Sequence, residues 1–194
     1  MIYFPAEYFL QMYSLHLIAE VKFQKDYFSD YPQEIRIGSD STAVCYTRKP
    51  GYYAVHYKQP NTVASGAILQ LNDGAMSTTG YAYAVFSGEP NQLESDTLSP
   101  IYTIEPNNLL AVPTGLVFIR FAEGVDVESQ REAINQAGYE VEQSLDYAPQ
   151  AAWLRAQSGN IVDAIAGISQ LEAIPNVENV ELQMLMERDL KLGR

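Results

Sequence analysis

Apolar and polar positions follow the clearest pattern in the C-terminal part of the chain. The apolar run Leu116–Phe121 precedes a Glu-Gly turn and predicts a strand. The next apolar residues lie on one helical face, with Asp126 as the predicted N-cap and Gly138 as the stop. Alternation predicts two further strands, at residues 139–145 and 152–155.

A second helix and a last strand complete this part of the pattern. Apolar residues recur at i, i+4, i+7 and i+10 and form a helical stripe: Ile161, Ile165, Ile168 and Leu171. Val177, Val180 and Leu182 then lead into a final strand. Each helix has one apolar stripe that must be buried, and a four-stranded antiparallel sheet with both helices on one face buries both. The order βαββαβ therefore predicts a ferredoxin-like sandwich.

The preceding residues predict short strands instead of helices. Glu34–Ile37 and Val44–Thr47 flank a turn-like Gly-Ser-Asp-Ser segment, and Gly51–Tyr57 alternates aromatic and small residues. Further strands are predicted at residues 67–71, 81–85 and 100–105. Twelve of the fourteen tyrosines lie before residue 112, which indicates a change of composition there.

Pro113 and Gly115 suggest a linker or turn at this change of composition. The predicted fold class is α+β, with a β-rich N-terminal domain before the ferredoxin-like one. The predicted units are an N-terminal helical and aromatic segment (1–33), a β-rich domain (34–112), the ferredoxin-like domain (113–186) and a C-terminal tail (187–194).

Composition and charge exclude several classes of partner. The chain has 194 residues, 47% of them hydrophobic and 19% charged, which is typical of globular proteins. Its net charge of −12 disfavours nucleic acid and anionic membranes, so a basic or neutral protein surface is the expected partner. The single cysteine, Cys45, excludes an intrachain disulfide. Acids interrupt the apolar N-terminus, so no signal peptide or membrane span is predicted and a cytoplasmic location is the default.

Few residues suggest catalysis or metal binding. Cys45 and His56 could pair as nucleophile and base across neighbouring strands, but a buried thiol and a strand histidine are the favoured interpretation. His16 is interpreted as a packing residue. No known cofactor motif occurs, so we expect no cofactor, no metal and no enzymatic activity.

Two sets of acidic residues are best explained by solvent exposure. Asp26, Asp30 and Asp40 lack the dense spacing of a calcium loop and are interpreted as solvated turn acids. Glu140 and Glu142 share one face of a strand, where exposed charge deters edge-to-edge aggregation.

Two pairs of residues are candidates for contact with a partner protein. Trp153 and Arg155 belong to the residue types enriched at binding hot spots, although a Trp covering the seam between the domains explains them equally well. Met184 and Met186 follow the predicted last strand, where they either contact a partner or complete the core.

Three separated segments resemble one protein family: Val112–Val125, Ala137–Val141 and Ile174–Glu181. Their order and spacing resemble the prodomains of bacterial subtilisin-like serine proteases, of the fervidolysin-like kind. The resemblance covers residues 112–186. It implies an inhibitor and folding chaperone whose sheet packs on two protease helices and whose tail lies in the active-site cleft.

The same resemblance implies the residues that bind the protease. They are Met184, Met186, Leu190, Leu192, Gly193 and Arg194. The sequence contains no subtilase Asp, His or Ser motif. We therefore expect either a free-standing inhibitor or a fragment of a longer protease.

Two alternatives remain open. The chain could be a protein–protein interaction or scaffold module with no protease target, and it could form homo-oligomers. An acylphosphatase-like hydrolase needs an anion-binding loop with an arginine after its first strand. The loop Ala122–Val125 is acidic and disfavours that activity.

Overall fold

The computed structural model describes residues 26–38, 43–59, 63–72, 81–90 and 97–187. Half of these residues (50%) lie in strands and 15% in helices, and the strands pair antiparallel. This strand-dominated mixture agrees with the predicted α+β class. Most of the predicted N-terminal segment and tail residues 188–194 lie outside the described residues.

Within those ranges the chain forms strands and short helices in a simple order. The strands are β1 (Glu34–Ile37), β2 (Val44–Tyr57), β3 (Leu69–Asn72), β4 (Ala82–Ser87), β5 (Thr97–Ile104), β6 (Leu109–Phe121), β7 (Tyr139–Ser144), β8 (Ala151–Ala156) and β9 (Val177–Met186). The helices are a 3₁₀ turn (Val127–Gln130), α1 (Arg131–Gln136), α2 (Ile161–Ala166) and α3 (Ile168–Glu172).

Strand β6 joins two groups of strands. On one side it pairs with β9 along most of its length, from Ala111 opposite Met186 to Phe121 opposite Val177. On its other side, the beginning of β6 pairs with β5 and its end pairs with β8. The first group continues through β5, β2, β4 and β3, with β1 also on β2, and the second runs β9-β6-β8-β7.

A bulge in β6 separates the two groups. Between Pro113 and Val117, β6 advances four residues while β9 advances two, from Met184 to Leu182. The linker or turn predicted at Pro113 and Gly115 is therefore wrong, because both residues lie inside a strand. Proline and glycine are also the residues that bulges favour. The division into domains at residue 112 stays a prediction, although one strand crosses it.

Thr114 satisfies the polar groups of this bulge. Its side chain is buried, and its hydroxyl donates to Gln183 Oε1 at 2.7 Å. The same oxygen accepts the backbone N–H of Leu116 at 3.1 Å. Gly115, at φ 84°, sits so close to α2 that a Cβ would lie 3.1 Å from Ile161 Cγ1. At the bulge, Thr114 thus provides hydrogen bonds for buried polar groups, and Gly115 allows the close approach of α2.

The helices cover one face of the second group of strands. The main core contains alternate residues of β6 (Val117, Ile119 and Phe121) together with the predicted helical stripe. That stripe is split between α2 and α3 at Gly167, where a Cβ would lie 2.6 Å from the Tyr139 hydroxyl oxygen. The hydroxyl of Tyr139 donates to Ala164 O at 2.7 Å. The predicted order of strands and helices is found.

The first predicted helix differs in its beginning. It opens with the 3₁₀ turn, and Asp126 is its N-cap residue as predicted, but the Asp126 side chain makes no capping hydrogen bond. Instead, Ser129 Oγ donates to Asp126 O at 2.6 Å. Among the described residues, no helix is long and apolar enough to cross a membrane.

A second, smaller core lies against the other face of β5 and β6. Ile101 and Val112 belong to it, whereas their neighbours Tyr102 and Ala111 belong to the main core. Strand β4 contributes Tyr83 and Val85 to this core, and Tyr81 packs against it. The N-terminal strands therefore bury residues on both sides.

The strands predicted at Val44–Thr47 and Gly51–Tyr57 form one strand, β2, so their separation was wrong. The pairing of β2 with β5 shifts register between Lys49 and Tyr53, and Gly51 there has φ 74°. A local irregularity within one strand thus lies where two separate strands were predicted.

We expect Thr114→Val to lower the free energy of unfolding by about 1–3 kcal/mol, because it leaves the buried Leu116 N–H without its acceptor. Urea denaturation followed by circular dichroism measures this. Thr103→Val is the matched control, since the Thr103 hydroxyl donates to Thr47 O at an exposed position. Equal effects of the two substitutions would contradict the proposed role of Thr114.

Candidate interaction surface

The sheet β9-β6-β8-β7 has one face that its helices do not cover, called here the far face. Strand alternation opposite the main core assigns Leu116, Phe118 and Arg120 of β6 to it. Register then adds residues of the neighbouring strands: Trp153 and Arg155 of β8, Glu140 and Glu142 of β7, and Asn179 and Glu181 of β9. The structure thus places both predicted interface residues, Trp153 and Arg155, on one face.

An aromatic pair occupies the middle of the far face. Phe118 and Trp153 are directly opposite each other in the ladder between β6 and β8. Their rings meet edge to face, with centroids 5.3 Å apart and planes at 61°. Both side chains are half-buried. Such pairs contribute stabilisation beyond the burial of area alone and hold the rings in one orientation.

Charged pairs surround these aromatic rings. Arg155 Nε donates to Glu142 Oε2 at 3.2 Å, and Arg120 Nε lies 3.4 Å from Glu178 Oε2. Glu142 lies on β7, the edge strand of this group, where the sequence predicted an exposed charge. It pairs there with Arg155 of the neighbouring strand β8. The Arg120 and Glu178 side chains are about half exposed, so their interaction is screened by solvent and weak.

Arg155 also connects the far face to the N-terminal strands. Its guanidinium carbon lies 5.9 Å from the centroid of the ring of Tyr81, the residue directly before β4. The Arg155 side chain is only 22% exposed. Leu116, its register partner in β6, is 6% exposed although no helix covers this face. One end of the far face is therefore covered, while the Phe118–Trp153 pair is partly open.

His56 lies close to this junction. It is 5% exposed, its Nε2 is 2.9 Å from Ser99 Oγ, and its ring meets the Tyr83 ring edge-on at 4.8 Å between centroids. Burial, together with the smaller effect of the nearby positive charge of Arg155, lowers the pKa of His56 to about 3. The imidazole is therefore neutral at physiological pH.

The structure rules out the disfavoured alternative, a pairing of Cys45 with His56, and places His56 on a strand as the favoured interpretation expected. Both residues lie on β2, eleven positions apart, which separates them by about 36 Å along an extended strand. His56 meets Ser99 instead, on the neighbouring strand β5. Ser99 is fully buried, so the pair offers no access to a substrate and acts as a buried polar contact.

The predicted turn acids near the N-terminal strands have local partners. Asp26 accepts the N–H of Phe28 at 3.0 Å and pairs with Arg48 at 2.6 Å, and these contacts hold its pKa below the usual value. Asp30 accepts a hydrogen bond from Ser29. Asp40 and His16 lie outside the described residues. No group of three potential metal ligands occurs in the part of the chain that the structure describes.

An open groove of about 520 Å³ lies beside Arg48. The Arg48 guanidinium donates to Phe28 O and to Asp26. Its main polar group is thus already engaged within the protein, and we assign no ligand to this groove.

The two candidate methionines belong to strand β9, so the prediction that they follow the last strand is wrong. Met184 is opposite Pro113 and Met186 is opposite Ala111. Both are half-buried and pack against the main core. The other predicted protease-binding residues lie outside the described residues: Leu190, Leu192, Gly193 and Arg194.

Comparisons of this chain with protein-family models, with curated proteins and with solved structures found no match.

We expect Phe118 and Trp153 to be energetically coupled. In a double-mutant cycle with Phe118→Ala and Trp153→Ala, the coupling free energy should be about 0.5–1.5 kcal/mol, as is typical of edge-to-face pairs. Urea denaturation followed by far-ultraviolet circular dichroism measures it. Tyr147→Ala, at an 86% exposed position, should change stability little. Strictly additive single substitutions would show that the two rings do not stabilise each other.

Proposed function

We propose that this chain is a non-catalytic relative of subtilisin-like protease prodomains and acts as a protease inhibitor or folding chaperone. In this proposal residues 113–186 form a ferredoxin-like unit that docks through its far face. The residues after β9 enter the protease cleft in extended form. The chain itself makes and breaks no bonds.

The course of β9 is the observation that carries this proposal. This strand pairs with β6 as far as Met186, and the next residue, Glu187, is exposed. The sheet therefore anchors the chain as far as Met186, directly before the predicted tail. An extended peptide can add a strand to the edge of an enzyme's sheet, with its side chains in specificity pockets. Anchoring one end reduces the ordering cost of binding.

The order of elements supports the ferredoxin-like assignment. The strands run β9-β6-β8-β7, all antiparallel, and both crossovers contain helices that pack in the main core. The three segments that resemble the family coincide with β6 and its following turn, the entry to β7 and the entry to β9. The resembling segments thus lie at strands and their turns, and the resemblance implies no catalytic residue in this chain.

The far face has the composition of a docking surface. Trp153 and Arg155 are residue types enriched at hot spots, and the Phe118–Trp153 pair is partly open. Acids outnumber arginines around it, with Glu140 and Glu181 in addition to the two paired glutamates. Together with the net charge of −12, this favours a partner with a basic surface, and association should slow as salt rises.

Inhibition kinetics test the proposal. The full chain should show slow, tight inhibition of a subtilisin-type protease, and a chain that ends at Met186 should inhibit at least about tenfold less well. Trp153→Ala should weaken inhibition by a similar factor, because it removes the centre of the docking face. Tyr147→Ala, on a loop between β7 and β8, is the exposed control. If the full and shortened chains behave alike, or if neither inhibits, the proposal is wrong.

A scaffold or interaction module without a protease target is the second candidate. Two observations favour it: the far face is partly covered by the N-terminal strands, and β9 pairs with no described strand other than β6. An unpaired strand edge can pair with a second copy. Sedimentation equilibrium distinguishes the candidates, since a stable homodimer that loses its affinity on Trp153→Ala would favour the scaffold.

A further inference from the structure

We propose that His56, Ser99, Tyr81 and Arg155 form an acid-sensitive latch that holds the N-terminal strands over one end of the far face and releases them as pH falls. The latch residues come from the two groups of strands that β6 joins. Only the consequence for binding, a wider docking face in acid, rests on the proposed function. The latch itself is a property of the folded chain.

The contacts form a chain from one group of strands to the other. On the C-terminal side, Arg155 of β8 lies between Glu142 and the ring of Tyr81. On the N-terminal side, Tyr81 packs beside Tyr83, with ring centroids 6.3 Å apart. Tyr83 in turn meets the ring of His56, which contacts Ser99 of β5. A change at His56 therefore acts on the elements that hold Arg155.

The charged and titratable groups around His56 make its protonation unfavourable in the closed state. Strand β4 and the residue before it present the tyrosines Tyr83 and Tyr81, and β5 presents the hydroxyl of Ser99. Strand β8 presents Arg155, a positive charge, and the carboxylate of Glu142 from β7 is engaged by that arginine. A protonated His56 would thus place a second positive charge in a buried site.

The sign of the pH dependence follows from this arrangement. In the closed state the pKa of His56 is about 3, whereas a solvent-exposed histidine titrates near 6.5. The released state therefore takes up a proton more readily, and the closed state loses stability as pH falls from about 6.5 toward 3. Between pH 7 and pH 5, the ratio of released to closed molecules should rise roughly 25-fold.

Hydrogen exchange of the full chain tests this shift without any protease, so its failure is distinguishable from failure of the proposed function. After correction for intrinsic rates, amide protection in β4 should fall roughly 25-fold from pH 7 to pH 5, at constant ionic strength. Protection in the end of β6 that pairs with β8 should stay unchanged. An equal loss in both strands would mean global opening and would overturn the latch.

Two variants assign the effect to one histidine. The chain has two histidines, so His16→Gln is the matched control for His56→Gln. His56→Gln should remove the pH dependence of protection in β4, while His16→Gln should retain it. If His56→Gln keeps the dependence, the proposal is wrong.

A measurement on the unmodified protein covers the case in which His56→Gln does not fold. Titration of the imidazole signals by nuclear magnetic resonance should show one histidine that remains neutral below pH 5 in the native state. If both histidines titrate near 6.5 while the protein stays folded, burial does not resist protonation and the latch is overturned.

Discussion

The antiparallel pairing of β6 with β9 is the constraint on which the rest of the structure depends. Strand β6 joins the two groups of strands, β9 pairs with it on both sides of the bulge, and the helices, the far face and the N-terminal strands are all positioned from this pair. The bulge around Thr114 lets a single strand serve both groups, because it changes the partner on one side from β5 to β8. Its buried polar groups must be satisfied locally, and the Thr114 hydroxyl does this.

Much of the secondary structure could be predicted because its signals are local. The stripe from Ile161 to Leu171 and the alternation in β4 and β8 reflect which residues face a core, and the sequence contains that information directly. Pro113 and Gly115 were misinterpreted because the same residues mark turns and bulges. Whether these residues form a turn or a bulge depends on the pairing of β6 with β9. Strand β9 is distant in sequence, so the local sequence does not reveal this pairing.

The candidate surface was predictable in part for the same reason. Trp153 and Arg155 were recognised by residue type, but apolar residues occupy both faces of β6 and β8, so alternation did not decide which face the helices cover. The contact of His56 with Ser99 joins residues 43 positions apart. A Cys45–His56 contact was conceivable only because two separate strands were predicted where the single strand β2 continues.

The function depends on how these two groups of strands act together. A βαββαβ order occurs in proteins with many different functions, so topology alone does not identify one. Here the same unit has a last strand that is paired as far as Met186 and a far face that the N-terminal strands cover at one end. A binding role thus depends on the junction as well as on the unit itself.

Native-state hydrogen exchange across β6 tests most directly whether the β6–β9 pair unites the two groups. At increasing denaturant, the amides of Ala111 and Val112 and those of Val117–Phe121 should converge on one opening free energy, equal to that of global unfolding. If the amides before the bulge open at clearly lower free energy while those after it stay protected, the two groups unfold separately. That result would contradict the account.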